Sequence, residues 1–103
     1  MKNPFHTRWT VLNKVRTVLT KRDREHGDAM QNLKDAATIW SVILNSKVSA
    51  RQVADCLEVL KIVRSVSGGN NFDNYVDRIG YAALAVEAAE IEDEEPHTQG
   101  PKI

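Results

Sequence analysis

The sequence predicts an all-α fold, a four-helix single domain, and three observations predict it. Apolar residues recur at three- and four-residue steps in four separate segments. Helix-ending and helix-starting residues punctuate the gaps between them. Only six of the 103 residues are aromatic, so the core must be built from Leu, Val, Ile and Ala, which suits packed helices better than aromatic-rich strands. A chain of this length has room for one core.

The first helix is expected over about Trp9–Arg22. Trp9, Leu12, Val15 and Leu19 form its apolar stripe, and most of its basic residues fall on the other side. Gly27 tolerates the positive φ that ends a helix, and Asp28 can accept the free amides of the next one. The second helix, about Ala29–Leu44, carries the clearest stripe of the chain: Met30, Leu33, Ala37, Trp40 and Leu44. Ser49 and Gln52 spell a capping box that opens a third helix over about Ala50–Val66, with Val53, Leu57, Leu60 and Val63 or Arg64 inward. Cys56 reads as a core residue of this helix. Ser67-Gly68-Gly69 stops it, and a fourth helix follows over about Phe72–Ile91, with Val76, Ile79, Ala83 and Val86 inward.

This organisation divides the chain into an N-terminal extension (1–8), a helical domain (9–91) and a disordered acidic tail (92–103), whose prolines and charges cannot offset the entropy of ordering. The formal net charge of zero conceals a balance of +5 over residues 1–86 and −5 over residues 87–103. Seven basic residues fall within the first 24. Past Trp9 no aromatic residue interleaves with them as a stacking surface requires, so nucleic acid is disfavoured as a partner. No apolar run approaches the roughly 20 residues that span a bilayer. The opening residues lack a signal-peptide pattern, and the lone Cys56 has no internal disulfide partner. A cytoplasmic protein is expected, in the host cytoplasm if the chain is phage-encoded.

Acidic residues at helical spacing are the candidates for chemistry. Asp55 and Glu58 share a face of the third helix, and Asp73 and Asp77 share one of the fourth. Two carboxylate pairs on adjacent antiparallel helices are what an oxygen-only Mg²⁺ site needs. The competing reading is structural: Glu58 pairs with Lys61, and Asp77 pairs with Lys61 or Arg64. Asn32 lies on the polar face of the second helix, and His26 beside it is either a turn cap or a group for phosphate contact or proton transfer. Zinc, serine-hydrolase, Walker and dinucleotide-binding motifs are absent from the sequence.

His26-Gly27-Asp28 with Asn32 and Trp40, then Val53-Ala54, Leu60-Lys61 and Arg64, then Asp73-Asn74-Tyr75-Val76-Asp77 and Gly80-Tyr81-Ala82-Ala83 carry a likeness that extends over about residues 12–90. In these residues the chain resembles a family of small bacteriophage and prophage proteins of unassigned function, grouped loosely with the MazG-like all-α nucleotide pyrophosphohydrolases. The resemblance implies a MazG-like bundle. In such enzymes E-x-x-E and E-x-x-D hold Mg²⁺ on a nucleoside triphosphate, and water attacks to give a monophosphate and pyrophosphate. Carried onto this chain, Asp55-x-x-Glu58 and Asp73-x-x-x-Asp77 stand for the metal ligands, departing from the pattern in residue type and in spacing respectively. Lys61, Arg64, His26, Asn32 and Tyr81 stand for phosphate or nucleotide contacts.

Two function classes therefore stay open. One is nucleotide binding or hydrolysis with Mg²⁺. The other is a non-enzymatic phage interaction module that forms a homo-oligomer or binds a host protein, since a shared bundle buries more core than one small protomer can.

Overall fold

Each helix begins where a side chain accepts an amide that the first turn leaves unpaired. The computed structural model describes residues 5–69 and 71–94. Thr7 caps α1 (Arg8–His26), its hydroxyl accepting the Thr10 amide at 3.3 Å. Asp28 caps α2 (Ala29–Leu44) by accepting the Met30 amide on Oδ1 at 2.9 Å. At α3 (Ala50–Ser67) the expected capping box is complete: the Gln52 amide donates to Ser49 Oγ at 3.1 Å and the Ser49 amide to Gln52 Oε1 at 2.9 Å. Asn71 Oδ1 takes the Asn74 amide at 2.8 Å where α4 (Phe72–Glu94) begins. Among the described residues all regular structure is helical.

The helices match the expected four, with longer ends. α1 continues four residues past Arg22 and stops at Gly27, whose φ of 80° and ψ of −165° suit a residue without a side chain. α4 continues to Glu94, so Glu92, Asp93 and Glu94 are helical and not part of a tail. Arg8 belongs to α1. The rest of the expected tail, residues 95–103, and residues 1–4 of the expected extension lie outside the described residues.

The short link after Ser67 makes α3 and α4 an antiparallel hairpin, the most extensive contact in the fold. Lys61 meets Asp77 near the closed end, and the Arg51 amide meets Glu92 Oε1 at 3.2 Å near the open end. α2 packs on this hairpin, and α1 packs against α4. The His6 ring, just before α1, stacks on Phe72 with centroids 3.9 Å apart.

The core is made of small side chains. Its main cluster joins Met30, Leu33 and Ala37 of α2 to Ala50, Val53 and Ala54 of α3 and Ala85 and Ala88 of α4. Five of these eight are alanines, so backbones approach closely but little apolar area leaves water, at roughly 25 cal/mol per Å². Val15 and Val76 are also buried, on α1 and α4.

Several larger residues expected inside are instead exposed. Leu44, Leu60, Val63 and Val86 face solvent, as do Trp9 and Leu12 of the α1 stripe, and Ala83 is exposed while Ala85 and Ala88 take the inward positions. Cys56, expected in the core, is exposed and free. The reason is steric: alanines set the closest approach of α3 and α4, and the rotation that buries them turns the branched residues outward. Among the described residues no helix is long and apolar enough to cross a membrane.

Candidate functional site

The centre of the expected acidic site is Asp77, on the second turn of α4, where α1 and α3 both reach it. Helical spacing from Lys61 to Leu57 and Ala54 turns this lysine toward the hairpin interface. Its Nζ lies 2.8 Å from Asp77 Oδ2. Arg22, near the end of α1, places Nη2 3.1 Å from Asp77 Oδ1. Both carboxylate oxygens are thus charge-paired, and the Asp77 and Lys61 side chains are only 14% and 17% exposed. Low exposure strengthens each contact relative to a surface pair. The trio carries one net positive charge and ties three helices together.

A cavity of about 40 Å³ adjoins this trio, lined by apolar residues of α1 and α4 and Ala29 of α2 together with Arg22, Asp77, Gly80 and Tyr81. Ligand pockets for small molecules occupy roughly 300–1,000 Å³, so this one has room for water only. Gly80 is buried at its wall, and a Cβ there would meet Leu19 Cδ2 at 3.7 Å, an ordinary contact.

The remaining expected site residues are placed apart from it or beside it in different ways. Asp73 is exposed in the first turn of α4, where its charge complements the helix dipole. Asp55 accepts from Arg51 Nη1 at 3.0 Å, a pair within one helix. Glu58 is half-buried and Arg64 exposed, and the Arg64 carbonyl accepts the Gly68 amide at 2.9 Å as α3 ends. His26 and Asn32 come together, but through the backbone: Asn32 Nδ2 donates to the His26 carbonyl at 3.2 Å, while the imidazole is exposed and lies 3.9 Å from Glu25. Tyr81 borders the cavity. Among the described residues, no three of His, Cys, Asp and Glu converge as a metal-holding group would require.

Of the expected pairings, Asp77 with Lys61 forms, and Arg64 is replaced by Arg22. Arg22 was hidden in the basic run of α1, 55 residues from its partner. Arg78 is a further feature that spacing does not reveal. Its guanidinium sits 5.5 Å from the centroid of the Tyr75 ring, and its Nε is buried without a hydrogen-bond partner.

Residues 10–89 match the family model described as Domain of unknown function (DUF6378). The chain belongs to the DUF6378 family. The DUF6378 domain here is similar to the Gene 55 protein of Mycobacterium phage L5, with 30% identity over 83 residues, 80% of this chain and 53% of the relative. It is also similar to the Gene 55 protein of Mycobacterium phage D29, with 31% identity over 67 residues, 65% of this chain and 44% of the relative. The chain thus spans about half the length of the curated relatives it matches. No solved structure matches it. The resemblance to small phage proteins of unassigned function is supported at this level.

Proposed function

We propose that this DUF6378 domain is a non-enzymatic interaction module that assembles with copies of itself. One observation carries the reading: alanines make up most of the core while many of the larger aliphatic residues face out. Ile39, Val42, Ile43 and Leu44 on α2 and Val59, Leu60, Val63 and Val66 on α3 are each more than 40% exposed. Apolar surface on this scale marks an interaction site in a protein that must stay dispersed in water. The double pairing of Asp77 supports the same reading, because a carboxylate held by two cations serves structure without a metal. The phage origin of the relatives fits a small assembly protein acting in the bacterial cytoplasm, where a lone thiol stays reduced.

Sedimentation equilibrium over a wide range of protein concentration tests this. A mass that rises from one protomer to a defined multiple is expected, and a monomer throughout overturns it.

A second reading follows the MazG-like resemblance and is favoured by Asp77 and Tyr81 bordering one hollow, which holds no more than water as it stands and would have to open for a nucleotide. On that reading Asp73 and Asp77 would hold Mg²⁺ on a nucleotide, Lys61 and Arg64 would contact its phosphates, and Asp77 would first exchange a cation for the metal. Its test is thermal unfolding with Mg²⁺ or Mn²⁺ and a panel of nucleoside triphosphates: a raised melting temperature that Asp77→Asn abolishes supports it, and no shift across the panel sinks it.

A further inference from the structure

The α3 helix has two faces, and the fold uses one. Ala50, Val53, Ala54 and Leu57 enter or line the core and Lys61 reaches Asp77, all on the same side. On the opposite side Cys56, Val59, Val63 and Val66 follow one another at steps of three, four and three residues, all exposed, with Leu60 and Ile62 flanking them. Successive steps of three and four residues are the heptad spacing of a seam between paired helices. No charged side chain lies on this face from Cys56 to Val66: Glu58, Lys61 and Arg64 all point elsewhere around the helix.

We infer that this stripe is the surface on which a second copy of the chain docks, α3 against α3, in antiparallel sense across a two-fold axis. The inference rests on the self-assembly reading above and names its interface. Area supports the occupant: the stripe presents on the order of 500 Å² of apolar surface, about the apolar share of the ~800 Å² that each partner gives a standard interface. Charge supports it too, because an uncharged seam is matched by another uncharged seam, and a symmetric pairing supplies one without any further partner.

The sense follows from the spacing. Steps of three, four and three read the same from either end, so an antiparallel copy sets Cys56 against Val66 and Val59 against Val63, with Leu60 and Ile62 beside the axis. Opposed helix dipoles favour this sense over a parallel one.

Light scattering on the full chain, with circular dichroism to confirm that each variant folds, tests the inference. Val59→Lys and Val63→Lys, on an exposed face, are expected to give folded monomers where the native chain is a dimer. Alkylation of Cys56 should slow as protein concentration rises. Under mild oxidation Val66→Cys should yield a covalent dimer through Cys56 of the second copy. The native chain should not, because its two Cys56 residues lie roughly 15 Å apart at 1.5 Å per residue. Disulfide dimers of the native chain would overturn the antiparallel sense. Association that survives both lysine substitutions, with Cys56 still freely alkylated, would overturn the α3 surface and leave self-assembly standing. A monomer at every concentration would remove both.

Discussion

Replacing Asp77 by Asn removes one charge and strands two. Lys61, 17% exposed, would lose the carboxylate 2.8 Å away and could not swing fully into water, whereas Arg22, 44% exposed, could. Exposed ion pairs contribute about 0–1 kcal/mol, and removing one partner of a fully buried pair costs about 3–5 kcal/mol. The burial of Asp77 and Lys61 places this change between those limits, at about 2–3 kcal/mol. For a domain of this size that lowers the melting temperature by about 10–20 °C. Urea unfolding followed by far-ultraviolet circular dichroism, at one fixed protein concentration, measures it. Lys61→Met should cost less, because Arg22 still neutralises Asp77. Asp55→Asn provides the control: its pair with Arg51 is 47% and 39% exposed, and its loss should cost no more than about 0.5 kcal/mol. If Asp77→Asn proved as mild as Asp55→Asn, the claim that this trio clamps three helices would be wrong.

Gly80→Ala is expected to stabilise by about 0.5–1 kcal/mol, because the helix gains propensity and the new methyl meets Leu19 at an ordinary distance; a loss of stability would show that the wall of the cavity cannot accept it. Gly27→Ala should destabilise by about 1–2 kcal/mol, and since nothing lies within 4 Å of its Cβ position the whole cost is backbone strain, so Gly27→Asn should be no cure. Ser49→Ala should cost about 1 kcal/mol in the same urea assay by undoing one half of the α3 capping box.

Helix boundaries were legible because they are written in local chemistry. Asp28, Ser49 with Gln52, and Gly27 each act on amides or torsions within a few residues of themselves. The inward face of α3 was legible through Val53 and Leu57 but not at Leu60 and Val63, because aliphatic residues occur all around that helix: Val53 and Leu57 on one side, Val59, Val63 and Val66 on the other. Periodicity alone gives two stripes there. Which one is buried is decided by the alanines of α4, Ala85 and Ala88, since only the side bearing Ala50 and Ala54 lets the two backbones close up. The same problem misplaced Cys56 and Val86. At the site, the Asp77–Lys61 pair was within reach of spacing arguments because a short link joins their helices. Arg22 was not, because its approach depends on how α1 lies against α4.

Glu92 at one end of the α3/α4 hairpin and the Lys61–Asp77 pair at the other fasten the two helices twice, some 15 residues apart along α4. A rod pinned at both ends cannot splay, whereas α1 is joined to the rest by a thin seam of contacts around Leu19 and Arg22. Amide protons in the middle of α3 and α4 should therefore be the last to exchange with deuterated solvent, and those of α1 among the first, so that the hairpin forms the rigid beam of the molecule and α1 its detachable brace.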